Sequence, residues 1–228
     1  MDKSFDNKII KLMKKEPFYL PWIGNNFVNS KTKLLVLAES PYGDAKNKNI
    51  EIKEIDWLRT LIQQNFATIE YDPPMNLLIN LLRALYNKKD ISEEERINFS
   101  KYIAFTDIVQ RLKQPLKNKD DRPNKDDFKN GWKKIIEIIK IIKPNNIIII
   151  GVSSIKHLER IADETNINIC NIRKPENKIN SIYPIKFLLK YNNETSKCIA
   201  IKHTSKFFSW KVWPEYIVKY INLKEIIK

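Results

Sequence analysis

Glycine, cysteine and histidine are scarce in this chain: 4 Gly, 2 Cys and 2 His among 228 residues. Four glycines leave little material for a glycine-rich phosphate loop. Two thiols, Cys170 and Cys198, cannot build a disulfide framework, so a reducing, intracellular (cytoplasmic) setting is expected. The cysteines and histidines also lack metal-ligand spacing, and neither a metal nor another cofactor is expected. Long apolar runs are missing too. The longest, Ile147 to Val152, falls far short of the roughly 20 residues that cross a bilayer, so no membrane partner is expected. Charged residues precede any apolar run at the N-terminus and no small-residue cleavage pattern follows, so no signal peptide is expected.

Acidic residues are outnumbered. Asp and Glu total 27 against 41 Lys and Arg, a formal net charge of +14. Such an excess suggests a polyanionic partner, nucleic acid first. The plain alternative is a Lys-, Asn- and Ile-rich composition of AT-rich coding origin, with a basic surface that carries no function. The hydrophobic share of 43% is enough for a packed core. With no internal repeat and no long linker, one domain spanning residues 1–228 is expected.

Hydrophobic periodicity supplies the elements. Helices are predicted over Lys8 to Glu16, Ile55 to Phe66, Met75 to Tyr86 and Phe128 to Ile142, and from Trp210 to Ile221. Ser92 and Glu95 form a capping-box pattern that opens another helix. Ser153 or Ser154 can cap one that runs to about Ala162. Short apolar runs predict strands at Lys33 to Ala38, Tyr102 to Asp107, Asn146 to Ile150 and Lys197 to Ile201. Asn166 to Asn193 has weak periodicity and suits a hairpin or an irregular excursion. Alternation of strands and helices predicts an α/β fold. The expected form is a three-layer α/β/α arrangement around a four-stranded, mostly parallel sheet.

Two strand ends carry the candidate chemistry. Leu34-Leu35-Val36-Leu37 runs into Ala38-Glu39-Ser40-Pro41-Tyr42-Gly43, and Cys198-Ile199-Ala200-Ile201 runs into Lys202 and then His203-Thr204-Ser205-Lys206. Open α/β sheets bind ligands beyond the carboxyl ends of their strands. If both strands are parallel members of one sheet, Ser40, Tyr42 and His203 can face one cleft.

The first of these segments resembles the first signature of the uracil-DNA glycosylase superfamily, where the strand ends in Gly-Gln-Asp-Pro-Tyr-His; Pro41 and Tyr42 match. The second is similar to that superfamily's His-Pro-Ser, with His203 and Ser205 matching. Trp132 to Gly151 is similar to its long helix followed by a buried strand ending in Gly, and Phe105-Thr106-Asp107 sits where a strand bearing the base-reading Asn would end. Order and spacing agree over about three-quarters of the chain. The resemblance is to a divergent branch. It implies a single glycosylase-like domain acting as a monomer, with DNA ahead of RNA or a nucleotide as its partner.

Base excision requires a pocket for a flipped base, a stabiliser for the departing base and support for an oxocarbenium-like sugar during water attack. The resemblance assigns these needs to particular residues. Ser40 falls where the water-orienting Asp is expected; a serine without a partner is a poor base at neutral pH, so Glu39 or Asp44 is left to supply the carboxylate. Pro41 and Tyr42 would wall the base pocket. His203 would hydrogen-bond the leaving base. Asp107 stands near the base-reading position, where an ionised carboxylate only accepts hydrogen bonds and would suit an amino-bearing base such as cytosine. Ser205 and Lys206 begin the loop that reaches DNA. Phe207, Phe208 and Trp210 follow as aromatics suited to stacking or wedge insertion, two of which can instead pack the last helix onto the sheet. No counterpart of the base-stacking Phe stands out among Phe27, Trp57 and Phe66. The implied activity is excision of an unusual or damaged base by hydrolysis of an N-glycosidic bond. The alternative is a catalytically inactive module of the same fold that grips nucleic acid or a modified nucleotide.

Overall fold

The computed structural model describes residues 1–12, 19–40, 55–66, 76–110, 122–205 and 207–227. Seven strands form one mixed sheet in the order β1-β3-β2-β4-β7-β6-β5. They are β1 (Trp22–Ile23), β2 (Leu34–Ala38), β3 (Ile103–Asp107), β4 (Asn146–Ile150), β5 (Asn168–Arg173), β6 (Ile185–Tyr191) and β7 (Glu194–Ile201). The helices among the described residues are α1 (Asp6–Leu12), α2 (Trp57–Phe66), α3 (Asn76–Tyr86), α4 (Glu93–Tyr102), α5 (Lys125–Ile142), α6 (Ile155–Ile161) and α7 (Pro214–Tyr220). No helix among the described residues is long and apolar enough to cross a membrane.

The α/β class is as expected, but the sheet differs from the four-stranded, mostly parallel one. β3, β2, β4 and β7 do form a contiguous parallel block. β1 adds to one edge antiparallel to β3, and β6 and β5 extend the other edge antiparallel. Half of the strand pairings are therefore antiparallel, and the sheet is mixed. The additional strands escape an apolar-run reading because they lie toward the edges. β1 is two residues long, and no residue of β5 is fully buried.

The central strands are apolar throughout because both of their faces are covered. Alternate residues of β2 point to opposite sides: Leu35 and Leu37 enter one core cluster, Leu34, Val36 and Ala38 the other. The first cluster receives Ile9 of α1, the Ile and Trp132 face of α5, and Leu158 and Ile161 of α6. The second receives Leu58 and Ile62 of α2, the leucines of α3, Phe99 of α4, and Tyr216 and Ile217 of α7.

Local chemistry sets several boundaries. Asn124 caps α5, accepting from the backbone N–H groups of Asp126 and Asp127, both at 2.9 Å, while Asp127 accepts from the Asn124 N–H. Ser92 and Glu95 make the expected capping box on α4. Ser153 and Ser154 do not cap α6. They form a 3₁₀ turn with Val152, and the Ser154 hydroxyl donates back to the Gly151 carbonyl at 3.3 Å. The weakly periodic region holds β5 and β6. β6 returns into β7 through Asn192-Asn193, whose φ angles of 42° and 63° are those of a type I′ hairpin turn.

Candidate functional site at the strand ends

The parallel block determines what can meet. From β2 the chain crosses first to β3 on one side and later to β4 on the other. The order reverses between β2 and β4, and a crevice opens beyond their carboxyl ends. Glu39 leaves β2 here, Gly151 leaves β4, and His203 lies just past β7, the other neighbour of β4.

Backbone hydrogen bonds extend this order beyond the strands. The Val109 N–H donates to the Glu39 carbonyl at 3.0 Å, and the Gly151 N–H donates to the Ile201 carbonyl at 2.9 Å. Gly151 has φ 109°, a backbone region that disfavours side chains. A Cβ built there would lie 3.5 Å from Glu39 Oε2 and 4.0 Å from His203 Cδ2. The carboxylate and the imidazole therefore approach the end of β4 together, with glycine at their meeting point. Ser153 donates its hydroxyl to Glu39 Oε2 at 3.3 Å. The serine expected to cap a helix instead holds the carboxylate.

His203 is held from its other side. Its Nδ1 lies 2.8 Å from the Ser205 hydroxyl and accepts from the Ser205 N–H at 3.4 Å. An accepting Nδ1 places the proton of the neutral ring on Nε2. The Cδ2 atom beside Nε2 faces Gly151. Burial lowers the imidazole pKa from its ordinary value, with the Glu39 carboxylate opposing it. The ring is thus a neutral N–H donor at physiological pH.

The loop that presents His203 is clamped by α3. Thr204 is fully buried, and its hydroxyl donates to the Leu77 carbonyl at 2.7 Å. Asn80 donates its amide to the Thr204 carbonyl at 2.8 Å, and Arg83 donates to Asn80 Oδ1 at 3.1 Å. Asn80 was legible only as a polar interruption in an apolar helix, and its partner could not be read from that. Ser153 and Asn80 are the positioning residues that sequence reasoning missed.

Asp107 ends β3 directly across from Ala38. It is buried, and burial pushes its carboxyl from an ordinary 3.8 up to about 7. Burial thus favours the protonated form, which donates as well as accepts. Ser40 is also buried, and its hydroxyl has no hydrogen-bond partner among the described residues. Neither is joined to His203 by a hydrogen bond.

Asp107 also makes stability depend on pH. An unfolded chain releases this proton near pH 4, whereas the folded chain holds it to about pH 7. Native stability therefore falls as pH rises between those values, by roughly 1.4 kcal/mol per pH unit. Asp107→Asn is expected to gain stability relative to the native chain progressively over that window and to hold its advantage above it. Urea unfolding at a series of pH values checks this; a stability difference independent of pH would refute it.

The aromatic residues after His203 divide. Phe207 is 89% exposed at φ 59°. Phe208, expected to face DNA, is instead buried and stacked on Trp213, with centroids 5.8 Å apart and an 8° interplanar angle. Trp210 is half-buried. Phe27 and Phe66 belong to the core, while Trp57 is half-buried against Tyr19. Pro41, Tyr42, Asp44 and Lys206 lie outside the described residues. Among the described residues no three His, Cys, Asp or Glu side chains gather as a metal site. Cys198 is buried and Cys170 half-buried, both as free thiols.

Fold and site together define an α/β chain with a carboxylate–imidazole pair at the switch point of its sheet. No protein-family model matches the chain, and no curated protein matches it.

Proposed function

We propose that the chain is a DNA glycosylase-like enzyme that excises an unusual or damaged base held in the strand-end cleft. The observation that carries this reading is the approach of Glu39 and His203 around Gly151. In the reaction, water attacks C1′ of the sugar and the C1′–N bond breaks, its electron pair leaving with the base. Glu39 orients the water and takes its proton, the role for which Ser40 is chemically unsuited. The Nε2–H of His203 donates a hydrogen bond to the developing anion of the base. Asp107, able to present either a donor or an acceptor near neutrality, suits a base edge of either polarity. The +14 charge supports capture of a polyanion.

The test uses oligonucleotides carrying uracil, hypoxanthine or modified cytosines, incubated with the purified protein and then treated with hot alkali. Strand cleavage at the modified position supports the reading. Binding without cleavage on every substrate would replace it by the catalytically inactive module, a reading that the buried Ser40 hydroxyl in the acid's expected place favours.

Phe207 supplies a further expectation. Its side chain stands almost entirely in solvent, and a bulky residue with positive φ is strained. Phe207→Gly is expected to leave the melting temperature equal or higher while weakening duplex binding about tenfold, a stacking-sized loss. Thermal melts and fluorescence anisotropy measure the two effects. Undiminished duplex binding would remove Phe207 from the interface.

A further inference from the structure

A basic surface is formed by residues other than those of the strand-end cleft. A groove of about 300 Å³ runs between the last turn of α7 and the face of β5, β6 and β7. Arg173, Lys186, Lys197 and Lys219 line it beside Leu188 and Tyr220, and no acidic residue among the described residues does. The register explains this concentration. Arg173 pairs directly with Lys186 across β5 and β6, and Leu188 pairs with Lys197 across β6 and β7. Lys186 and Leu188 lie two apart on β6, so the side chains of Arg173, Lys186, Leu188 and Lys197 share one face. Lys186 Nζ sits 4.0 Å from the centroid of the Tyr220 ring. Among the described residues, none of the four cations forms a salt bridge, whereas Lys129, Lys133, Lys140 and Lys143 all do.

Like charges directly opposed across two strands destabilise a sheet. Here they are gathered in a concave surface, beside an aromatic ring. The width from β5 to β7 is two strand spacings, roughly 10 Å. That span is commensurate with a single nucleic-acid strand. Ile199 on the groove floor lies four residues before His203 along the chain, on the order of 13 Å of extended backbone.

We propose that this groove binds the phosphate backbone of single-stranded nucleic acid, as a surface separate from the strand-end cleft. Arg173, Lys186, Lys197 and Lys219 neutralise phosphates, and the Tyr220 ring holds Lys186 in the groove. The binding does not depend on whether the cleft cuts.

The test is anisotropy of a labelled oligothymidylate over a range of salt concentrations, in the full chain. Lys186→Gln/Lys197→Gln is expected to weaken binding about tenfold and to reduce the magnitude of the salt slope by about 1.4, the value for two lost contacts to a single strand. The control is Lys8→Gln/Lys11→Gln, which removes the same charge from the exposed face of α1. A loss confined to the groove variant supports the proposal. Equal losses in both variants, or none in either, would overturn it, and so would a groove-specific loss seen with duplex but not with single strands. Base release from the cleft is scored separately, so failure of the glycosylase reading leaves this result interpretable.

Discussion

His203→Ala is expected to slow base release by about a hundredfold or more while leaving the fold intact. The side chain is half-buried, and among the described residues its ring is hydrogen-bonded to Ser205 alone. Truncation thus removes a donor without opening the core. The loss should fall on kcat rather than KM, because the departing base acquires its charge only as the bond breaks. His203→Gln, whose amide can also donate, is expected to recover part of the rate. The pH profile provides a separate readout. Burial lowers the imidazole pKa, and donation from neutral Nε2–H persists as pH rises. Activity is therefore expected to hold through neutral pH rather than fall as the ring loses its charge. An Ala variant as fast as the native chain would end the leaving-group role. An activity that declines steadily above pH 6 in Asp107→Asn as well would instead require a cationic ring.

Arg59→Met is expected to cost about 3–5 kcal/mol of stability, lowering the melting temperature by about 10 °C for a chain of this size. Arg59 on α2 is 2% exposed. Its guanidinium donates to both carboxylate oxygens of Asp6, at 2.5 and 2.8 Å, to Asp56 at 2.9 Å and to the Pro21 carbonyl at 2.9 Å. One side chain thereby ties α1, α2 and the segment entering β1 together. Removing it leaves Asp6, itself largely buried, facing an apolar methionine. Arg59→Lys is not expected to rescue, because one ammonium cannot reproduce the planar fork that reaches three partners. Urea unfolding of Arg59→Met, Asp6→Asn and the double variant gives the coupling directly. An additive double variant would show that the pair contributes nothing of its own.

The four parallel strands were legible because burial on both faces leaves few places for polar residues. Asn146 to Ile150 matches β4 at both ends, and β2 and β3 begin one residue later than their apolar patterns suggest. β7 begins at Glu194 rather than Lys197 because its start is a hairpin arm whose outward residues meet solvent. β6 alternates buried and less buried residues, and the Asn192-Asn193 turn that follows it is a local signal for a hairpin. β1 carried no comparable signal; its two residues are held by pairing with β3 and by the Trp22 indole donating to the Ser100 carbonyl. The aromatics after His203 could not be sorted from sequence. Phe207 and Phe208 are adjacent and chemically alike, and only the position of Trp213 decides which is buried.

By itself, the sequence determined the apolar central strands, the helix cap at Ser92, the excess of positive charge, and the polar residues that end β2 and β7. These follow from side-chain chemistry acting over a few neighbouring residues. The tertiary structure alone decided that Glu39 and His203 meet at Gly151, that Ser153 holds a carboxylate rather than a helix end, and that four cations share one groove. Each of those outcomes depends on strand order and register, which bring together groups far apart in the chain and assign each side chain to a face.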